Sequence, residues 1–215
     1  MEEKSFCTQL SEEFIIRVLF LVVVMIATAS NVRSQNVASG LQEETLVPKY
    51  RWGVKGGLNS AYEYSDKGTT DARTGLHLGL FMESTLSPKV DIQTEFVYSM
   101  QGCVDKNNFT DKFDYINVPV IFKIYTNQSR TVSIDVGPQL GYMVSAKGVY
   151  SSGTTIDVYN NGKMNKIDGA VCFGVSYKFN PSFHIGLRYN YGVTKIIKGV
   201  DNRNAVGQLG VGYMF

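Results

Sequence analysis

Charge is in short supply in this sequence. Only 19% of its residues are charged, against about 25% in ordinary soluble domains. The 21 Lys and Arg and 19 Asp and Glu leave a net charge of +2, with the signs interspersed. No clustered basic stripe exists, so a nucleic-acid partner is excluded. Cysteine is equally scarce. Cys7, Cys103 and Cys172 lie far apart and, with only two His, offer neither a CxxC pair nor a zinc spacing. Neither metal nor other cofactor is expected, and Cys103 and Cys172 are expected to be free thiols. Long apolar runs are limited to one, which excludes a polytopic helical membrane protein. Against these shortages stand 21 Gly, 13 Tyr and 12 Phe in a chain that is 44% hydrophobic. So many aromatics exclude a disordered chain, and the glycines have no period of three, which excludes collagen.

The one apolar run, FIIRVLFLVVVMIATA at 14–29, is interrupted by Arg17 and falls short of the ~20 residues a spanning helix prefers. Small polar residues follow it, the order of a secretory signal. Residues 1–34 are therefore expected to be a signal peptide, cleaved after Ala29 or after Ser34, with an uncleaved anchor as the alternative. The stretch before the run is acidic, unlike the usual basic start of such a signal. Residues 35–50 read as a polar periplasmic linker.

From 51 to 215 one pattern repeats: 9–15 residues of apolar–polar alternation, then a turn or loop. Period two over such lengths is the mark of β-strands. Segment three alternates Ile92, Phe96, Tyr98 and Met100 with Gln93, Glu95, Ser99 and Gln101; segment seven alternates Phe183, Ile185, Leu187, Tyr189 and Tyr191 with His184, Gly186, Arg188 and Asn190. Eight such segments occur. Short turns (STLSPK, TNQSR, NPS) separate three pairs, and longer polar stretches at 60–73, 102–112, 147–166 and 194–203 separate the others. Short turns on one rim and long loops on the other are the asymmetry of an outer-membrane barrel. The fold class is therefore all-β, an eight-stranded antiparallel up-and-down transmembrane barrel over 51–215.

Alternation alone fits a soluble lipocalin-like barrel too. Two features favour the membrane. The polar face is mostly Gly, Ser, Asn and Gln rather than Lys and Glu, which suits a crowded lumen. The apolar face carries aromatics near strand ends: Trp52, Tyr98, Tyr142, Phe179, Phe183 and Tyr191, candidates for interfacial girdles, and Tyr213 and Phe215 in the last segment. On the polar face, Lys55, Glu95, Asp135 and Arg188 sit four or five residues into segments one, three, five and seven. These segments run the same way, so the four charges are expected at similar depth, two of each sign. The even segments offer Gly79, Asn117, Gly174 and Gly210 there, leaving room for long side chains. Mutual neutralisation in a low-dielectric lumen predicts a plugged core.

Some eight-stranded outer-membrane barrels modify lipid A, which takes a His beside a Ser and a carboxylate near the outer rim or lipid face. His184 is predicted to face inward opposite Lys178, beside a periplasmic turn. His77 also points inward, with no Ser evident at its depth. Polar lumen histidines are the simpler reading, and no catalytic residue is expected. The outer-loop aspartates lack the spacing of a calcium loop.

The stretches WGVKGGLN (52–59), HLGLFMES (77–84), IQTEFVYSMQG (92–102), YINVPVIFKIY (115–125), VGPQLGYMVSAKG (136–148), IGLRYNYGVTKI (185–196) and NRNAVGQLGVGYMF (202–215) resemble, in order and spacing, the PorT-like outer-membrane β-barrel proteins of Bacteroidetes. The resemblance covers essentially all of 51–215. It implies a barrel inserted into the outer membrane from the periplasm, with Tyr213 and Phe215 in a C-terminal assembly signal read by the barrel-assembly machinery. One family namesake serves the type IX secretion pathway. The expected partners are outer-membrane lipid and lipopolysaccharide, with secretion-system components as an alternative. The expected role is a non-enzymatic envelope or recognition protein.

Overall fold

The computed structural model describes residues 50–65, 68–105, 109–159, 162 and 164–215. The expected signal peptide, and all of the expected linker except Tyr50, lie outside the described residues. Eight long strands follow one another: β1 (Arg51–Ser65), β2 (Asp71–Ser87), β3 (Val90–Val104), β4 (Thr110–Tyr125), β5 (Val132–Val149), β6 (Ile167–Lys178), β7 (Phe183–Gly192) and β8 (Arg203–Met214). Each pairs antiparallel with the next, and β8 returns to pair with β1 from Gly53↔Met214 to Tyr64↔Arg203. The sheet closes on itself, so every strand in the wall has a partner on both sides. Two short pieces, Gly68–Thr69 and Thr155–Asp157, pair antiparallel with the outer ends of β1 and β5.

The side chains decide which solvent the wall faces. Outward-pointing Leu78 is 69% exposed, Val211 60% and Leu187 58%, whereas inward-pointing Glu95 is 2% and Lys123 1%. Apolar residues out and ionisable residues in would cost a water-borne barrel most of its hydrophobic stabilisation. In hydrocarbon the same arrangement satisfies both faces. The outward aromatics form two belts. Trp52, Phe179, Phe183, Tyr213 and Phe215 cluster at the rim of short turns, where Tyr213 packs on both Phe183 and Phe215. Tyr98, Tyr142 and Tyr191 stand toward the other rim, and Tyr191 stacks on Tyr64.

Two expectations about the loops need correction. The strands run further than the apolar alternation. The stretches 60–73 and 102–112, read as loops, are largely strand, because β1 reaches Ser65, β3 reaches Val104 and β4 begins at Thr110. Hairpin backbone bonding continues past the lipid, where side-chain polarity no longer alternates to report it. The segments 147–166 and 194–203 are also less polar than they looked. Met164 and Ile196 join Phe113, Tyr115, Met143 and Ala146 in a buried cluster, with Val158, Tyr159 and Ile197 packed against it. A Met164↔Ile197 bridge ties these two loops together over the ends of β4 and β5.

Candidate functional site

The lumen is the chemically richest part of the molecule, and it is filled in tiers. Its middle tier centres on Glu95 of β3. Arg188 of β7 donates to both Glu95 oxygens, at 2.9 and 2.8 Å, and Lys55 of β1 donates to Oε2 at 2.8 Å. The three therefore span the lumen from three separate strands. Asp135 does not join them directly. It accepts from Lys123 at 3.1 Å and from Ser133 at 2.7 Å, and also from Ser176. Lys123 was not singled out in the sequence, yet it stands directly opposite Asp135 in the β4–β5 ladder. Its inward parity in segment four was the available signal. With Lys123 counted, the tier holds three cations and two carboxylates rather than two of each.

Glycines make room for these long side chains, though not all those expected. Lys55 lies opposite Gly79 and Gly212, and Gly174 lies opposite both Asp135 and Arg188. Asn117 stands elsewhere, facing Gly141, whereas Gly210, opposite Gly57 and Gly186, lines the same cavity as Lys55 and Arg188. The stagger of a barrel ladder shifts equal chain positions to unequal depths. Between Lys55, Lys123, Asp135, Arg188 and the two histidines lies a cavity of about 30 Å³, room for about one water molecule.

A second charged tier fills the rim of short turns. Glu83 is paired with Arg51 and with Lys178, the latter at 3.0 Å. Asp91 is paired with Arg130 and accepts from the Tyr125 hydroxyl at 3.0 Å. Lys178 also donates to Tyr125 and lies 3.9 Å from Asp91. None of these residues was assigned to the lumen network from sequence. Inward parity marks all of them except Arg130, which reaches in from the turn after β4.

Above the middle tier the lining is neutral and amide-rich. Asn59 donates to Ser99 at 3.0 Å, its Oδ1 lies 2.8 Å from His77 Nδ1, and Gln208 donates to that same oxygen at 3.0 Å. Here the reading of His77 needs correction, since Ser99 stands directly opposite it on the inner face. A two-state register count from sequence could not align them across the irregular β2–β3 ladder. Ser99 Oγ accepts from both Asn59 and Gln101, while His77 Nδ1 is bonded to Asn59 Oδ1. His184 stands opposite Lys178, as expected, with its ring nearly perpendicular to that of Phe81.

The outer rim holds a separate group. Glu63, Cys103 and Asp111 place their oxygen and sulfur atoms within 4.8 Å of one another. They lie beyond the lipid-facing band, which ends in polar outward residues such as Ser60, Thr74 and Asp114. Burial, then the Glu63 and Asp105 charges, pushes the Asp111 carboxyl up to about 6, and burial also raises that of Glu63. Cys103 and Cys172 are both free thiols and both buried.

A family model described as "Outer membrane protein beta-barrel domain" matches residues 34–198. No curated protein matches the chain. Among solved structures, Neisserial surface protein A is 19% identical over 76% of this chain and 97% of its own, with a TM-score of 0.52. The attachment invasion locus protein Ail of Yersinia pestis is 18% identical over 78% of this chain and 99% of its own, with a TM-score of 0.49. At such identities the likeness is one of fold.

Proposed function

Because the chain belongs to the outer membrane protein beta-barrel domain family, and so to the outer membrane, we propose that it is a non-enzymatic envelope barrel with a sealed lumen whose outer loops carry any recognition. The observation that carries this reading is the Lys55–Glu95–Arg188 contact across the lumen. A carboxylate held by two cations from other strands leaves little room for a permeating ion to pass without breaking a buried pair. The second charged tier below it and the apolar cluster of Phe113, Tyr115 and Met164 above it add to the obstruction. Function then falls to the surfaces, where loops are free to vary around a rigid wall. The partners are outer-membrane lipid and lipopolysaccharide, and the barrel-assembly machinery during insertion, with Tyr213 and Phe215 in its recognition signal. Residues 1–34 would be removed on export, leaving 35–50 as a tether. Planar-bilayer recording of the purified protein tests the seal. Brief, small events or none are expected, and large steady channels would refute it.

The PorT-like stretches quoted above favour a second reading, an accessory role in a type IX-like secretion machinery. A deletion strain with an unchanged set of secreted proteins would discard that role, and altered lipid A in the same strain would reopen the enzymatic one.

A further inference from the structure

Three strands that are not all neighbours bring a thiol and two carboxylates together at the outer rim. Cys103 and Asp111 face each other across the β3–β4 ladder. Glu63 reaches the pair from β1, on the far side of β2, and the Cys103 thiol donates to its Oε1 at 3.4 Å. The β2–β3 register breaks between Ala72 and His77, just below this crossing.

Among the described residues, no cation balances the group. Among the described residues neither Glu63 nor Asp111 has an ion pair, and the remaining Glu63 oxygen is solvated only by the Asn202 amide, at 2.8 Å. Partly buried anions are normally paired or bound to a metal. A second observation points the same way. Asn204 stands opposite Glu63 in the β8–β1 ladder and is 3% exposed. Its Nδ2 donates to the Oε1 of Gln101, two residues before Cys103 on β3. Its Oδ1 has no hydrogen-bond partner. A buried carbonyl oxygen without a donor, on the residue opposite Glu63, fits a positive ligand at this rim.

We propose that Glu63, Cys103 and Asp111 bind one borderline-soft divalent cation of the zinc class, with Asn204 Oδ1 or a water molecule as the fourth ligand. Zn–S near 2.3 Å and Zn–O near 2.0–2.2 Å in a tetrahedron put ligand atoms roughly 3.4–3.6 Å apart. The sulfur–oxygen separation is already 3.4 Å. Calcium and magnesium want six or more oxygens and no thiolate. On binding, the Cys103 S–H bond breaks, its electron pair forms the metal–sulfur bond, and the proton leaves to water. Glu63 and Asp111 are half-buried at the outward end, so the ion enters from outside. It would clasp β1, β3 and β4 at the base of two loops. The site was invisible as a spacing motif because its ligands are 8 to 48 residues apart by chain numbering.

The test is titration of the untagged, detergent-folded protein with Cd²⁺, following the ultraviolet thiolate-to-cadmium band. One Cd²⁺ per chain is expected, displaced by Zn²⁺. The band should vanish in Cys103→Ser and persist in Cys172→Ser, and Glu63→Gln and Asp111→Asn should each weaken binding at least tenfold. A band that survives Cys103→Ser, or no saturable band at all, overturns the site. Should a variant fail to fold, the wild type decides alone: Zn²⁺ must raise its urea unfolding midpoint where Mg²⁺ does not. An unmoved midpoint is equally fatal. None of these readouts depends on whether the lumen is sealed.

Discussion

Glu95 and Arg188, separated by 93 positions in the chain, meet inside the barrel through two parallel charge-assisted hydrogen bonds of 2.8 and 2.9 Å. The fork of the guanidinium matches the carboxylate edge, which is why an Arg rather than a Lys serves on this side. Lys55 adds a third bond from β1. Removing the anion leaves two buried cations facing each other. Glu95→Ala should therefore cost about 3–5 kcal/mol of stability, read from urea unfolding in lipid vesicles. A loss under about 1 kcal/mol would mean that lumen water replaces the carboxylate.

Asp135 and Lys123 form their own pair, so they should behave as a unit. Lys123→Met alone strands the carboxylate, whereas Lys123→Met with Asp135→Asn removes both charges. A double-mutant cycle is expected to return a coupling of about 1–3 kcal/mol. Pairing either residue with Lys55 instead should give a smaller coupling, because Lys55 bonds to Glu95 and shares only the cavity with them.

Glycines in this wall are not equivalent. A Cβ at Gly137 would collide with the Val120 carbonyl oxygen on the adjacent strand, while one at Gly207 would meet nothing nearer than 3.8 Å. Gly137→Ala should lose about 1–3 kcal/mol through forced backbone movement. Gly207→Ala should change stability by no more than about 0.5 kcal/mol. Equilibrium unfolding of the two variants side by side measures the difference.

Depth in the bilayer should set the cost of a charge on the outer face. Leu187 lies midway along β7 and Leu86 beside the turn after β2. Leu187→Arg is expected to cost about 2–4 kcal/mol, and Leu86→Arg about 0–1 kcal/mol. Equal costs would contradict the placement of the lipid-facing band.

The apolar cluster over β4 and β5 should act as a local cover. Ile196 is 2% exposed within it, so Ile196→Ala should loosen the loops it joins by about 2–4 kcal/mol. Hydrogen exchange should quicken around Met164 and Ile197. Heat-modifiable gel migration should stay unchanged, since the closed ladder does not depend on these loops.

Much of the barrel was legible in the chain because its two solvents impose a two-residue period. Leu76, Leu78 and Leu80 alternate with His77 and Gly79 for no reason but that one face meets lipid and the other the lumen. Strand number follows from counting that period and its interruptions. The inner partners were less legible. Lys55, Glu95 and Arg188 were singled out, but the pairing of Asp135 with Lys123 depends on the β4–β5 register, and the meeting of His77 with Ser99 on an irregular one.

Sequence by itself determined which side chains face inward and which meet lipid, since parity along a strand is a local property. It also determined that inward charges of both signs had to share one narrow lumen. Only the tertiary structure decided who pairs with whom. Closure and stagger of the sheet convert chain positions to depths, and no local pattern encodes that conversion. The same closure brings Glu63 over β2 to Cys103 and Asp111, three residues whose spacing in the chain says nothing of their meeting.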